Sequence, residues 1–466
     1  MSSHDNAPRD GFGSKFGALA AAAGSAIGLG NIWKFPYIVG QNGGAALVFV
    51  FLIFIVCIGV PVMLAEFLIG RRTQRTAVTA FKTLKPKSPW FLTGLLGVLT
   101  AFLILSFYSV VAGWTLHYTY FSLTQNLVGN TPELINQKFG AFVSNPWQPV
   151  FWEVVFSMLT AGIVWGGVQN GIEKYSKILM PLLFVILLML VIRSVTLPGA
   201  SKGIEFFLKP DFSKLTKEGV LIALGHAFFS LSLGMGTMIA YGSYIRKDQS
   251  LLSMTLQVSL ADTAVAILAG LAIFPAVFAF GLSPSEGVGL VFKVLPNVFN
   301  QMPGGTFFSV AFFMLLAVAA LTSTISVLEV IVMYMVEELN FSRRAAVLLG
   351  FLSTTLLGAL CSLSMSPDSV VSTWTFPILK SASEGFSQVP LFDFFEWWAS
   401  NVFLPLGGLL IAFFVGWRML KSDIVDELSS NGQHTLPWYH VFIFALRVLA
   451  PIAIVVIFMS QLGVFK

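Results

Sequence analysis

Charge is scarce in this chain. Aspartate, glutamate, lysine and arginine make up 11% of its 466 residues, against about 25% in a soluble domain. So little charge cannot cover the surface of a water-soluble protein of this length, which excludes a soluble multidomain architecture. A hydrophobic share of 56% likewise excludes a disordered chain. Cysteine is nearly missing: Cys57 and Cys361 both lie in apolar stretches, which points to free thiols and excludes a secreted disulfide scaffold. The formal net charge of +5 has no basic stripe behind it, so nucleic acid is not an expected partner. What is abundant is apolar sequence, and the chain reads as a polytopic membrane protein embedded in a lipid bilayer.

A spanning helix needs about 20 mostly apolar residues. Eleven stretches qualify, near 16–37, 43–69, 91–124, 151–168, 176–195, 219–245, 253–281, 305–336, 345–363, 397–417 and 438–461. Their runs of Phe, Leu, Ile and Val lack the period-two alternation of a barrel strand, so the fold class is an all-α membrane protein. The run from Phe16 to Leu29 has the Ala-rich look of a signal peptide. It continues through Asn31, Trp33 and Lys34 to Pro36 without a cleavage-type stop, and is read as a span.

Basic residues set the orientation. With the N-terminus inside, the inner segments hold Arg9, Lys15, Arg71, Arg72, Arg75, Lys82, Lys85, Lys87, Lys174, Lys177, Arg246, Lys247, Arg343, Arg344, Arg418 and Lys421. The outer segments hold fewer, among them Lys138, Lys202, Lys209 and Lys293. The N-terminus is therefore expected in the cytoplasm and, after an odd number of spans, the C-terminus outside.

Two spans carry a matching interruption. The first reads Gly24-Ser25-Ala26-Ile27-Gly28-Leu29-Gly30-Asn31, and the sixth reads Phe228-Phe229-Ser230-Leu231-Ser232-Leu233-Gly234-Met235-Gly236. Each glycine in a helix interior costs about 1 kcal/mol relative to alanine. Unpaired peptide groups in hydrocarbon are tolerated only beside a cavity or ligand. Close packing through small residues would explain one such pair. Two pairs at mid-span, five helices apart, point instead to a binding site in an inverted-repeat transporter, with unwound first and sixth helices. The organisation expected is a cytoplasmic segment 1–15, a first five-helix repeat 16–195, a second inverted repeat 219–417 and an eleventh helix 438–461.

The motifs Gly28-Leu29-Gly30-Asn31-Ile32-Trp33-Lys34-Phe35-Pro36-Tyr37, Asn42-Gly43-Gly44, Phe229-Ser230-Leu231-Ser232-Leu233-Gly234 and Leu321-Thr322-Ser323 resemble the neurotransmitter:sodium symporter family. The resemblance runs from about Arg9 to Val456 and is closest to bacterial amino-acid transporters of the leucine-transporter fold. It implies a sodium-coupled amino-acid symporter of the bacterial inner membrane, working by alternating access, with two sodium sites. The first site would use the Ala26 carbonyl, the Asn31 side chain, the Ser230 carbonyl and hydroxyl, Asp262 and the substrate carboxylate. The second would use the carbonyls of Gly24, Ile27 and Ala319 with the hydroxyls of Thr322 and Ser323.

Asp262 departs from many relatives, which carry Asn there, and the position four residues on is Ala266. A fixed carboxylate beside sodium replaces a bound anion electrostatically, so chloride is not expected as a cofactor. The substrate would contact Ala26, Gly28, Gly30 and Ser323, with the Tyr108 hydroxyl holding its carboxylate. Gly28 stands where monoamine carriers have Asp, which fits a substrate that brings its own free carboxylate. Ser230 would be a further substrate contact, and the side-chain pocket would be Ile104, Phe229, Ser232, Met235 and Val327, uncharged throughout, which selects apolar or aromatic amino acids.

The resemblance also implies an outer gate of Lys34 with Glu396. The inner gate would be Arg9 with Glu337, supported by Tyr244 and by Phe12 in a usual Trp position. For Glu337 and its neighbour Glu338, unpaired loop acids are the alternative. His226 stands where relatives often have Gln; a hydrogen-bonding histidine is expected, with proton antiport as the alternative. Glu66 and Glu329 are read as struts within the bundle. Only Lys466 follows Phe465, so a twelfth span is not expected, and the long loop 364–392 has no assigned role. An intramembrane enzyme lacks any HExxH, nucleophile-elbow or paired-acid motif to support it. A channel or a transporter-derived sensor is the remaining rival.

Overall fold

The computed structural model describes residues 11–127, 129–284, 290–381, 385–430, 432 and 435–461. Nine helices among the described residues are long and apolar enough to cross a membrane. They are α3 (Ala45–Thr73), α4 (Phe91–Leu123), α5 (Gln148–Trp165), α6 (Val168–Val195), α9 (Leu251–Ala279), α10 (Gly305–Glu337), α11 (Arg343–Ser364), α12 (Leu391–Arg418) and α14 (Tyr439–Met459). A tenth candidate is a bent pair, α1 (Lys15–Ala26) and α2 (Gly30–Gln41), whose axes differ by 45°. The sixth expected span is also broken, into α7 (Lys217–Ser230) and α8 (Thr237–Gly242). Every stretch expected to span is helical.

Local chemistry fixes the helix ends. Ser14 accepts the Gly17 amide at 3.0 Å and starts α1. Thr216, Ser250 and Ser342 cap α7, α9 and α11 in the same way. At the far end of α1, Ile27 turns extended (φ −74°, ψ 102°), so the helix stops in mid-protein. The second break is tighter. Ser232 (φ 54°), Gly234 (φ 81°) and Gly236 (φ 81°) all adopt left-handed backbone. A side chain on Gly234 would meet the Leu404 carbonyl oxygen at 2.3 Å, so this position requires glycine both for conformation and for space.

The long helices α4 and α10 pack along one another, with α5 and α11 flanking them. α8 packs on α3, and α1 on α6, α9 and α10. Both thiols are free, Cys57 exposed and Cys361 buried. The structure departs from the all-α expectation in the long 364–392 loop. There a short turn (Val370–Thr373) leads into a hairpin of β1 (Thr375–Ser381) and β2 (Gly385–Pro390), paired Phe376 with Val389 and Ile378 with Ser387. β-branched and aromatic residues between Pro377 and Pro390 account for it. A short helix, α13 (Lys421–Leu428), lies between α12 and α14.

Candidate functional site

The two breaks face each other across a cavity. Its lining comprises Ala26, Gly28, Gly30, Ile104, Tyr108, Phe229, Ser232, Met235, Ser323 and Val327, all expected from sequence. Ser25, Leu105 and Thr324 also line it and were not expected. Ser230 is the one expected substrate contact that does not; its side chain points to Asp262 instead. No charged side chain lines the cavity.

Elements around the cavity satisfy the peptide groups freed by the breaks. The Leu29 amide donates to the Tyr108 hydroxyl at 2.7 Å, and the Gly28 amide to the Asn31 side-chain oxygen at 3.1 Å. The Ser232 hydroxyl donates to the Ser25 carbonyl at 2.9 Å, tying one break to the other. The Gly234 amide donates to Glu66 at 2.7 Å. Glu66 is thus more than a strut between helices: it holds the unwound backbone of the second break. A methyl group on Gly28 would lie 2.4 Å from the Ser323 hydroxyl and 2.7 Å from that of Tyr108, so one end of the cavity is built around a missing side chain.

Two clusters of oxygens border the cavity. In the first, the Asn31 amide nitrogen donates to Asp262 at 2.7 Å and to the Ser230 hydroxyl at 3.1 Å, and that hydroxyl donates to Asp262 at 2.9 Å. All three residues are fully buried. In the second, the Thr322 hydroxyl lies 3.0 Å from the Ala319 carbonyl and 3.4 Å from that of Ile27. The Ser323 hydroxyl lies 3.5 Å from Gly24, 3.3 Å from Ser25 and 3.3 Å from Ile27, each a carbonyl oxygen. These carbonyls belong to the C-terminal end of α1, where the helix dipole favours a cation. Apart from the Asn31 amide nitrogen, both clusters present hard oxygens, which suit an alkali cation rather than a transition metal.

The cavity is covered on both sides. Lys34 pairs with Glu396, donates to the Ser400 hydroxyl at 3.3 Å, and sits 4.6 Å from the centre of the Phe229 ring. On the other side, Phe12 packs edge-on against Tyr241 and Tyr244 at 5.7 and 5.8 Å. The Tyr244 hydroxyl donates to Glu329 at 2.7 Å, and Arg343 grips the same carboxylate at 2.7 and 3.0 Å. Arg9 lies outside the described residues. Glu337 accepts from the amide and hydroxyl of Thr76 at 3.1 and 3.0 Å, and Glu338 pairs with Lys82, so neither is an unpaired loop acid.

The structure corrects the reading of His226. Neither ring nitrogen has a hydrogen-bond partner; the ring stacks on Phe35 at 5.7 Å and lies against Phe51 and Phe229. Three apolar faces crowd the ring and leave no acceptor in reach. Sequence reasoning also missed Glu153 on α5, fully buried, and Glu173 on α6, which accepts from Gly13 and Ser14 at 2.6 and 2.8 Å and so anchors the start of α1. Both acids stand in or beside apolar stretches, and that scarcity was the available signal.

Comparison with known proteins converges on one group. The sequence profile of the Sodium:neurotransmitter symporter family matches residues 9–138 and 144–466. YhdH of Bacillus subtilis, described as a sodium-dependent transporter, is 40% identical over 97% of this chain and 98% of its own. A sodium-dependent transporter of Haemophilus influenzae is 36% identical over 98% of this chain and 99% of its own. Among solved structures, MhsT in complex with L-phenylalanine is 46% identical, with a TM-score of 0.88 over 97% of this chain and 100% of that one.

Proposed function

The chain belongs to the sodium:neurotransmitter symporter family, has its leucine-transporter type of fold and is a sodium-dependent transporter rather than an enzyme. From that premise we propose that it imports apolar and aromatic amino acids together with sodium across the bacterial inner membrane, and does so without chloride. The observation that carries this reading is the uncharged cavity between the two breaks, with Tyr108 and the Gly28–Leu29 amides gathered at one end. An amino acid places its carboxylate at that polar end and its side chain among Ile104, Phe229, Met235 and Val327. Phenylalanine bound to MhsT, a structure 46% identical to this chain, supports the same substrate class.

In this reading the Asp262 cluster is the first sodium site and the Thr322–Ser323 cluster the second. The substrate carboxylate completes the first, so ion and solute bind together. Each sodium drawn inward gains about 2.3 kcal/mol per 100 mV of membrane potential, enough for more than tenfold accumulation at about 1.4 kcal/mol per decade. Breaking the Lys34–Glu396 pair opens the outer side. Lifting α1 away from Tyr244 and Glu173 opens the inner one, with the N-terminus in the cytoplasm. The broken helices then rock against the scaffold of α4, α5, α10 and α11.

Uptake of labelled phenylalanine and leucine into proteoliposomes tests the proposal. Concentrative uptake that needs an inward sodium gradient, and that survives replacement of chloride by gluconate, is the expected result. Binding without accumulation would make the protein a sensor, and flux that never exceeds equilibrium would make it a channel. Loss of uptake in gluconate would overturn the chloride-independent reading alone.

A further inference from the structure

A second cavity lies outside the central one, between the first turns of α1 and α9. It has a volume of about 290 Å³ and is lined by Lys15, Phe16, Leu19, Gln249, Ser250, Ser253, Met254 and Gln257. We propose that this cleft binds the phosphate headgroup of an anionic phospholipid, with an acyl chain running down its apolar wall.

The lining divides by depth. Lys15 and Leu251 are the first residues of their helices, so the mouth of the cleft lies where two membrane helices begin, at headgroup level. Lys15, Gln249, Ser250 and Ser253 gather there. Beside them the wall is apolar, running from Phe16 (55% exposed) to Leu19 and Met254, with Gln257 a turn deeper on α9. Along α9 the exposed face continues through Leu256 and Leu260. A polar mouth above an apolar track has the profile of a phospholipid, not of a soluble anion.

Charge at the mouth is unbalanced. The carboxylates around it already have their own cations: Glu173 has Lys177 at 2.5 Å, Asp248 has Arg246 at 3.2 Å, and Glu427 has Arg71 at 2.8 Å. Lys15 has no carboxylate partner among the described residues. The first turn of α9 adds amide N–H groups without intrahelical acceptors, of which the Ser250 hydroxyl takes one, from Ser253. The α9 terminus alone would not define a site.

The second, independent observation is Gln249. It is only 5% exposed, lines the cleft, and its side-chain oxygen has no hydrogen-bond partner. Its backbone is pinned from behind, because the buried Arg71 donates to the Gln249 carbonyl at 2.5 Å. A buried amide held in place with an open valence costs about 1–3 kcal/mol until something fills it. A headgroup that carries a phosphate and a hydroxyl supplies the charge for Lys15 and the donor for Gln249 at once.

Native mass spectrometry of the full chain in mild detergent tests this. The probes are dioleoyl phosphatidylglycerol and dioleoyl phosphatidylcholine at equal concentration, with inorganic phosphate as competitor. Wild type is expected to retain the glycerol lipid in preference to the choline lipid, and phosphate is expected not to displace it. Lys15→Gln and Ser253→Glu, both at exposed positions, should each cut retention of the anionic lipid by about fivefold, the worth of one basic residue near an anionic headgroup. Equal retention of the two lipids, or unchanged retention in both variants, would overturn the proposal. Displacement by millimolar phosphate would overturn it too, by showing that the site takes a free anion.

Discussion

The two oxygen clusters beside the breaks share a cavity but not a chemistry. The first is organised around a carboxylate, Asp262, held by Asn31 and Ser230 in a fully buried setting. The second has no carboxylate; it consists of two hydroxyls and the carbonyls at the end of α1 and on α10. A buried carboxylate with only neutral partners is unstable as an anion and gains most from a cation. A nest of dipoles is content either way. Under the proposed function the difference is a division of labour: the first cluster would commit the protein to sodium and substrate together, and the second would respond to whether α1 is seated.

The largest expected effect comes from erasing that asymmetry. Asp262→Asn keeps the shape and removes the charge, and should lower sodium-driven uptake by about a hundredfold or more, since an unbalanced buried charge site is worth about 3–5 kcal/mol. Partial restoration by chloride in place of gluconate would sharpen the comparison; near-normal uptake in gluconate would break it. A smaller effect belongs to the neutral nest. Ser323→Ala removes one of several oxygens and should raise the sodium concentration for half-maximal uptake by about tenfold, in line with about 1–1.5 kcal/mol for a hydrogen-bonding group, with no response to chloride. A chloride-sensitive Ser323→Ala would show that the two clusters are not distinct. The mildest test touches neither. Met235→Ala should reorder apolar substrates by roughly tenfold, as expected for a few methylenes in a hydrophobic pocket, while the sodium titration stays where it was. A shifted sodium titration would mean that pocket and ion sites are not separable.

The sequence made the spans, the breaks and nearly all of the cavity lining legible, for different reasons. Spans follow from hydropathy, which the bilayer enforces along the whole chain. The breaks announce themselves because glycine pairs in apolar helices have few other uses, and the left-handed angles at Gly234 and Gly236 bear that out. The assignment of Asp262, Asn31 and Ser230 to one place came from family resemblance, and the distances bring them together. What stayed hidden depends on neighbours that no local pattern encodes. His226 looks like any polar group until Phe35, Phe51 and Phe229 close around it. Glu66 finds its partner 168 positions away, on the Gly234 amide. The hairpin in the 364–392 loop was masked by Pro377 within β1 and Pro390 at the end of β2, which argue against a central strand but not against an isolated pair.

Met235 sits between two glycines whose left-handed angles, 81° each, set the path of the chain on both sides of it. Its backbone is set by its neighbours, and its buried side chain lines the cavity. If the proposed function holds, a single codon change there would alter what the protein carries and leave the glycines that break the helix in place. On that reading selection would explore new substrates at this one position while the two ion clusters are inherited unchanged.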